Sequence, residues 1–379
     1  MPVIVRKRVI LLVETHFGYG RSILDGIARY QHTHAAWECW FRPWHHTSLP
    51  PDPEAWDGVI GRFRSRADAA PFPSGFPLVN VSTGGIEPLW LPTVGPDEQA
   101  IGASAAAAFV ERGFRSFAAV GLAARLFANE RIQGFQDELA RRGFGPASVY
   151  RSEQVLLNEE ERFIDWLQSR TQPLAIFACN DVTGREVLEI IMKRGLRVPD
   201  DVAVIGVDND LQVCSLSFPQ LSSVRTNATQ VGFKAAETLA RIMDDPSYTP
   251  PPRTLVPPVG VVHRLSSDIF AVDDPVVARA LAFVRDNLNK DIHVDAVARH
   301  VGVSRKSLEL KFEHSLSTTP AREIRARRAR RALELLVSTR LGMSEIAEKT
   351  GVRDQSALSI LVKKFAGVSP LAYRKKHQV

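Results

Sequence analysis

Along residues 1–240, short apolar runs alternate with longer stretches in which apolar residues recur every three or four positions. The apolar runs predict buried strands, and the three- to four-residue spacing predicts amphipathic helices. The predicted strands are residues 9–13, 56–60, 78–81, 116–120, 174–178 and 202–207. The predicted helices are residues 22–32, 98–112, 129–142, 159–168, 184–194 and 230–242. This alternation favours an α/β fold with two subdomains, each a parallel sheet covered by helices, and a crevice between them.

The pattern changes in the last third of the chain. Residues 244–258 are rich in proline, which excludes a helix or a central strand there, and an edge strand is expected at 259–264. Residues 266–274 are expected to form a linker. From Pro275 onward the predicted elements are all helical: residues 275–289, 294–300, 305–314, 320–336, 344–349 and 355–365. We therefore expect an α/β domain over residues 1–265 and an all-α domain over residues 275–379.

A helix, a tight turn and a second helix occur twice in the all-α domain. In the first unit, Gly302 supplies a left-handed backbone, and Ser304 can cap the helix that begins at residue 305. In the second unit, residues 350–352 turn the chain before the helix over residues 355–365. The second helix of such a unit is the element that enters the major groove of DNA. The pattern therefore predicts a double helix-turn-helix domain that binds double-stranded DNA.

The charge of the chain is unevenly distributed. The 379 residues include 48 Lys and Arg against 42 Asp and Glu. Residues 275–379 alone contain 21 basic and 10 acidic residues, whereas residues 1–274 contain 27 and 32. A basic domain attached to a mildly acidic body indicates a polyanionic partner for that domain alone. A solvated charged face would also explain the charge, so the DNA-binding prediction needs the helix pattern as well.

Other motifs argue against several classes of protein. Three widely spaced cysteines, Cys39, Cys179 and Cys214, favour a reduced cytoplasmic protein over a disulfide framework or a zinc site. The apolar run after Arg8 is too short for a signal peptide, and no segment approaches a membrane span. GxSxG, P-loop and HExxH motifs are absent, and Ile23 replaces the third glycine of a dinucleotide fingerprint. We expect a cytoplasmic non-enzyme without cofactor, metal or membrane contact.

The all-α domain resembles the AraC/XylS family of transcription factors over residues 275–379. The matching stretches are residues 303–308 with Phe312, residues 319–320, residues 346–347 with Gly351, and residues 363–374. In that family a long helix holds both units on one side, so the resemblance implies that both recognition helices reach successive major grooves. The second unit departs from the family pattern at Ala357, Leu358, Ile360 and Val362, where aromatic residues or an arginine usually stand. The departure implies weaker or altered base reading by the second helix.

The candidate DNA-binding residues lie at the starts and along the free faces of the two recognition helices. They are Ser304, Arg305, Lys306, Ser307, Lys311, Arg353, Gln355, Ser356, Ser359 and Lys363. Arg and Lys can reach guanine edges and Gln suits adenine, so base contacts are expected from Arg305, Lys306, Arg353 and Gln355. The other basic residues are expected to touch phosphate or solvent. For each single residue, a solvated surface position remains the alternative.

The α/β domain resembles the sugar-binding regions of LacI/GalR regulators and periplasmic sugar-binding proteins. The matching stretches are residues 129–135, 178–181, 202–209 and 219–224. Ligands of those families sit at the carboxyl ends of strands, in the crevice between subdomains. By position, the resemblance implies sugar contacts from Arg131, Asn180 and Asp208, and a weaker match from Asp97. Asn180 could instead cap a helix, and Arg131 could pair with a surface carboxylate.

The order of the two domains is similar to that of the bacterial xylose-operon regulators, whose DNA-binding domain follows the sensor. Further matches are Tyr19 to Arg21, residues 255–258 and residues 264–268. The resemblance implies a homodimer that binds D-xylose as its effector and activates sugar catabolic genes. Because the loop over residues 14–18 differs from the family, another pentose or a hexose stays open. An enzyme or sugar-binding body of unrelated activity, joined to a DNA-binding domain, is the remaining alternative.

Overall fold

The computed structural model describes residues 6–34, 36–42, 49–83, 91–123, 125–153, 155–268 and 274–377. The chain divides into two compact units, Met1–Ser267 and Asp268–Val379. Ser266 and Ser267, which the sequence assigned to a linker, are buried in the first unit, and the Ser266 hydroxyl donates to the Val204 carbonyl at 2.7 Å. Residues 269–273 of that linker lie outside the described residues.

The described part of the first unit contains twelve strands and seven α-helices. The strands are β1 (Arg8–Leu12), β2 (Glu38–Phe41), β3 (Gly58–Gly61), β4 (Leu78–Asn80), β5 (Thr93–Pro96), β6 (Ser116–Leu122), β7 (Ser148–Ser152), β8 (Leu174–Ala178), β9 (Val202–Val207), β10 (Ser222–Arg225), β11 (Arg253–Val256) and β12 (Gly260–Val262). The helices are α1 (Gly18–Thr33), α2 (Glu98–Val110), α3 (Leu126–Arg141), α4 (Glu160–Gln168), α5 (Asp181–Lys193), α6 (Leu211–Leu216) and α7 (Ala228–Asp244).

The first sheet has the order β11-β5-β4-β3-β1-β2, and all of its strands are parallel. Successive side chains of β1 point to opposite faces of the sheet, as the two-residue period of a strand requires. Val9 and Leu11 pack with α1 and α7, whereas Ile10 packs with Trp56 and Phe72 on the other side. Burial on both faces explains the continuous apolar run from which β1 was predicted.

The second sheet has the order β12-β10-β9-β8-β6-β7 and is parallel except for β12, which pairs antiparallel with β10. The chain passes between the two sheets three times: from β5 into α2, from β10 into α7, and from β11 to β12. The predicted fold class, two mainly parallel sheets in two subdomains, is therefore confirmed. The edge strand expected at residues 259–264 is also confirmed, over the shorter range of β12.

Five strands were not predicted from the sequence: β2, β5, β7, β10 and β11. Their sequences lack a continuous apolar run; β5, for example, is Thr-Val-Gly-Pro. β7 and β10 carry serine and arginine. β11 lies in the proline-rich segment, at the edge of the first sheet, where a missing N–H donor is tolerated. Pairing with a neighbouring strand, rather than local sequence preference, makes these segments strands.

The second unit is helical throughout its described residues. Its helices are α8 (Pro275–Asp286), α9 (Val294–Val301), α10 (Arg305–Leu316), α11 (Pro320–Ser338), α12 (Met343–Lys349), α13 (Gln355–Ala366) and α14 (Pro370–His377). One core gathers Val277, Leu281, Leu308 and Phe312 from α8 and α10, and a second core joins α11, α12 and α13. α14 was not predicted, because its sequence is short and rich in basic residues.

The described helices include none that is long and apolar enough to cross a membrane. The longest, α11, carries six arginines within its 19 residues. Across the same described ranges, His, Cys, Asp and Glu side chains form no group of three or more that could hold a metal ion.

Candidate functional site

Charged side chains from both sheets meet where the parallel strands end. Glu14 follows β1, Arg62 follows β3, and Glu98 begins α2 just after β5. Asp208 follows β9 of the second sheet. In open α/β sheets, ligands bind outside the carboxyl ends of the strands, at the point where the strand order reverses. These residues define the crevice of the first unit.

Arg131 of α3 joins the start of α2 to the ends of β8 and β9 at this crevice. Its buried guanidinium donates from Nε to Glu98 Oε2 at 2.5 Å and from Nη1 to the Cys179 carbonyl at 2.6 Å. Its Nη2 lies 3.6 Å from Asp208 Oδ1. The two carboxylates raise the pKa of the Arg131 guanidinium against the opposing effect of burial, so the side chain remains charged. Arg131 is thus fixed in one orientation by three partners.

Close packing of α2 on α3 brings Arg131 to Glu98. A Cβ added at Gly102 would collide with the Arg131 carbonyl oxygen, and one added at Gly134 would collide with the Gln99 carbonyl oxygen. The two helices therefore touch backbone to backbone, which residues larger than glycine would prevent. This approach positions Glu98, the first residue of α2, beside the guanidinium of α3.

Asp208 stands on a strained turn at the end of β9. Its φ is +104°, and that of the next residue, Asn209, is +51°, although neither is glycine. Such backbone costs free energy and persists where the surroundings hold it, often at binding sites. Burial, with a contribution from Glu98, raises the pKa of the Asp208 carboxyl to about 6, while Arg131 opposes the shift. Asp208 is therefore an ionised hydrogen-bond acceptor at neutral pH.

The first subdomain contributes a second ion pair and a buried phenol. Glu14 is buried and pairs with Arg62, and Arg64 lies 3.7 Å from the same carboxylate. Arg62 stands over the ring of Tyr19 at 5.6 Å. The Tyr19 hydroxyl and Glu14 Oε2 are buried with no hydrogen-bond partner among the described residues. Because unpaired buried polar atoms are costly, this donor and this acceptor suit a polar ligand.

Three further contacts join the subdomains around the crevice. The Gly18 backbone N–H donates to Asp210 Oδ2 at 2.7 Å, and Arg21 Nη2 lies 3.4 Å from the same oxygen. On another side, Arg253 of β11 pairs with Glu130 of α3 at 2.7 Å. These charged contacts hold the two subdomains together in the observed arrangement.

The four residues expected to bind the ligand fall into two groups. Arg131 and Asp208 meet each other directly at the crevice. Asn180 and Asp97 instead cap helices, since Asn180 Oδ1 accepts from the Thr183 N–H at 2.8 Å and Asp97 Oδ1 accepts from the Ala100 N–H at 2.9 Å. Ligand contacts by all four remain predictions.

Sequence reasoning assigned Glu14 to the ligand-facing loop over residues 14–18 but did not select Glu14, Arg62 or Glu98 as ligand contacts. Glu14 and Arg62 immediately follow strands, and that position is the signal that could have indicated them. Glu98 lies next to Asp97, the neighbour that was selected, but Glu98 is the carboxylate that meets Arg131. Which of two adjacent carboxylates faces the crevice depends on how α2 packs, and no local pattern records this.

The two candidate recognition helices, α10 and α13, are built alike. The turns before them contain Gly302 at φ +76° and Gly351 at φ +66°. Ser304 caps α10, and Asp354 caps α13. Each helix is anchored to its core by two buried residues, four and eight positions after the cap: Leu308 and Phe312 in α10, Leu358 and Val362 in α13.

Most of the ten candidate DNA-binding residues lie on the surface, and several are engaged within the protein. Arg305 pairs with Glu309 at 3.0 Å and Asp295 at 3.4 Å. Lys311 Nζ lies 2.6 Å from Asp274, and Arg353 pairs with Asp354 at 2.8 Å. Among the described residues, Lys306, Gln355, Ser356 and Lys363 are exposed and form no such pair. Ser304 serves as a cap, and Ser307 and Ser359 are half-buried. The DNA contacts of all ten remain predictions.

Two family models match the chain. A periplasmic binding protein-like domain matches residues 106–267, and a helix-turn-helix domain matches residues 297–376. The transcriptional regulator CelR in complex with cellobiose is similar over 69% of this chain and 85% of its own, with 20% identity and a TM-score of 0.55. At that identity the likeness shows the fold alone.

Two relatives and one solved structure match over most of the chain. The xylose operon regulatory protein of Escherichia coli strain K12 is 30% identical over 97% of both chains. That of Haemophilus influenzae is 29% identical over 75% of this chain and 74% of its own. The solved structure of the xylose-binding transcription activator xylR covers 99% of both chains, with 29% identity and a TM-score of 0.69. The chain therefore belongs to the family of xylose operon regulatory proteins, DNA-binding transcription regulators with a sensor domain followed by a helix-turn-helix domain.

Proposed function

We propose that this chain binds a neutral monosaccharide, D-xylose, in the crevice of its first unit and then activates sugar catabolic genes. The observation that carries the proposal is the meeting of Arg131 with Asp208, 3.6 Å apart, at the carboxyl ends of the strands. Relatives that match over the full length are named for the xylose operon or for xylose binding.

The balance of charge in the crevice favours a neutral ligand. The negative side chains of Glu14, Glu98 and Asp208 are matched by the positive ones of Arg62 and Arg131, with Arg64 also near Glu14. A sugar acid would add a charge that no free partner in this cluster neutralises. A neutral polyol needs donors and acceptors instead, and arginine, a phenol and carboxylates supply both.

Ligand-induced melting shifts test the sugar. D-xylose in excess is expected to raise the melting temperature of the full chain, because a ligand of the folded state stabilises it. D-ribose, L-arabinose and D-glucose serve as isomeric or larger neutral sugars, and D-xylonate serves as the acidic comparison. A shift with one of the other neutral sugars alone would change the identity of the effector. A shift with D-xylonate alone, or with none of the five, would overturn the proposal.

We place the DNA-binding domain at residues 275–379, with α10 and α13 as the helices that enter the major groove. Of the predicted linker, 266–274, we retain residues 268–274, because Ser266 and Ser267 are buried in the first unit. The ten candidate residues supply base and phosphate contacts from these two helices. Sugar binding that favours the closed crevice raises DNA affinity only in so far as the two conformations bind DNA differently. A gel-shift titration at one fixed salt concentration, with and without D-xylose, measures this coupling; equal affinities would refute it.

The regulator is proposed to act as a homodimer in the cytoplasm, without turnover of its sugar. Leu216 at the end of α6 is 84% exposed, and Phe218, two residues later, is 78% exposed. Exposed large apolar side chains so close together suit a protein interface, and a second copy of the chain is the occupant that two DNA half-sites require. Sedimentation of the full chain should give a dimer, and Leu216→Asp with Phe218→Asp should give a folded monomer.

A further inference from the structure

The two recognition helices share a feature that their charged residues do not explain. Leu310 of α10 is 63% exposed, and Ile360 of α13 is 71% exposed. Each stands six positions after its helix cap, Ser304 in the first helix and Asp354 in the second. A large aliphatic side chain thus occupies the same position in both helix-turn-helix motifs.

Helix geometry places both side chains on the outermost face. Leu308 and Phe312 are buried in α10, and a residue midway between them points to the opposite side of a helix with 3.6 residues per turn. Leu310 is that residue. In α13, Ile360 stands midway between the buried Leu358 and Val362 in the same way. When a recognition helix lies in the major groove, this face, which points away from the core of its domain, is the one turned toward the bases.

Polar residues flank each aliphatic side chain along its helix. Residues four apart share a face, so Lys306, Leu310 and His314 form one row in α10. Ser356, Ile360 and Lys364 form the equivalent row in α13. Each row therefore has a hydrogen-bonding residue at its amino-terminal end, an aliphatic centre and a residue able to carry positive charge at the other end.

Resting on the proposed DNA-binding function, we propose that Leu310 and Ile360 recognise thymine by packing against its C5-methyl group in the major groove. The thymine methyl is the one apolar group that the four bases of unmodified DNA present on that edge. Every other base would set polar edge atoms against an aliphatic side chain and leave them unpaired. The two helices therefore prefer a thymine at one equivalent position in each of two successive grooves.

Single exposed leucines are ordinary on protein surfaces, so exposure alone would not support this inference. The argument rests on the repetition of the position in two helices whose other surface residues differ, and on the flanking rows. Leu371 of α14 is equally exposed, at 67%, but it lies outside both rows. It provides a matched control for the loss of an exposed leucine elsewhere in the DNA-binding domain.

The test compares thymine with uracil, because the two bases differ only in the methyl group. The full chain with D-xylose in excess first selects its preferred duplex from a random-sequence library. Each thymine of that duplex is then replaced by deoxyuridine, one at a time, and affinity is measured at fixed salt. We expect one replacement in each of two successive grooves to weaken binding about fourfold, the value of one buried methyl-sized group.

Variants assign each methyl to its side chain. Leu310→Ala is expected to abolish the thymine–uracil difference at one of the two positions, and Ile360→Ala at the other, whereas Leu371→Ala should leave both unchanged. Equal affinity for thymine and uracil at every position, or differences that survive in both variants, would overturn the inference while DNA binding itself stands. If the library yields no enriched duplex at all, the proposed DNA-binding function fails, and this inference fails with it.

Discussion

The crevice and the recognition helices both carry many charges, but they treat them in opposite ways. In the crevice, Arg131 is buried and held by Glu98, Asp208 and a backbone carbonyl. On the helices, Arg305 and Arg353 are exposed, and their partners are nearby side chains that solvent also reaches. Buried pairs fix geometry for a small ligand, whereas exposed pairs exchange readily for phosphate or a base edge. The crevice is therefore suited to recognising the shape of one small ligand, and the exposed helices are suited to binding a polyanion.

The sharpest test of this contrast removes the buried arginine. Arg131→Met is expected to destabilise the protein by about 3–5 kcal/mol and to abolish the D-xylose response, because Glu98 and Asp208 lose their shared cation. The comparison variant is Arg141→Met at the end of the same helix, where the arginine pairs with Glu138 on the surface. Thermal and urea unfolding should show little change in that variant. Similar losses in the two variants would break the contrast.

A smaller effect is expected from the glycine contact that positions Arg131. Gly134→Ala should lower the free energy of unfolding by about 1–3 kcal/mol, since the new methyl group collides with the Gln99 carbonyl oxygen and pushes α2 from α3. Gly145→Ala is the matched control, because an added Cβ there meets no heavy atom within 4 Å. Unfolding measurements should find the control neutral or slightly stabilised. An unchanged free energy of unfolding in Gly134→Ala would show that α2 and α3 can accommodate the added methyl group.

The pH dependence of sugar binding reports on Asp208. Its pKa is raised from 3.8 to about 6, so the carboxylate that accepts hydrogen bonds becomes the majority form only above pH 6. Sugar affinity should therefore rise with pH through a midpoint near 6, by up to about tenfold per pH unit on the acid side. Calorimetric titrations of D-xylose at several pH values measure the rise, and Asp208→Asn should bind weakly without it.

The same shift makes a stability prediction of known sign. The folded chain holds the Asp208 proton more tightly than the unfolded chain, so this group lowers stability as pH rises from about 4 to 6. Asp208→Asn should remove that contribution, and unfolding curves across this interval would detect the change. A free energy of unfolding that falls less, or rises more steeply, with pH in Asp208→Asn than in the wild type would agree with this sign; the same pH dependence in both proteins would contradict it.

The least severe test concerns the exposed helices. Lys306→Ala is expected to weaken DNA binding several-fold and, if the lysine touches phosphate, to reduce the salt dependence of log affinity by about one unit. Lys193→Ala removes the same charge from an exposed position in the first unit. Its gel-shift titrations should match the wild type at every salt concentration. A loss of equal size in both variants would mean that net charge alone, rather than α10, binds DNA.

The sequence predicted the two-subdomain fold because its central strands are buried on both faces and read as unbroken apolar runs. β8 and β9 match their predicted ranges residue for residue. Edge strands such as β2 and β7 were not predicted, because their pairing depends on strands far away in sequence. Asp208 and Arg131 were found through resemblance, whereas Glu98 was not, since its meeting with Arg131 follows from the packing of two helices.

Glycine contacts occur in both subdomains. Gly102 and Gly134 join α2 to α3, and Gly26 and Gly232 join α1 to α7, where an added Cβ would strike a facing carbonyl oxygen. Helices whose backbones are in contact cannot shift by rearranging the side chains between them, so we expect each subdomain to move as a rigid body. Flexibility between the subdomains is then expected at the three short crossings between the sheets. If sugar binding closes the crevice as proposed, we expect the subdomains to rotate about those crossings, so substitutions there should alter sensitivity to the effector without changing the proposed ligand contacts.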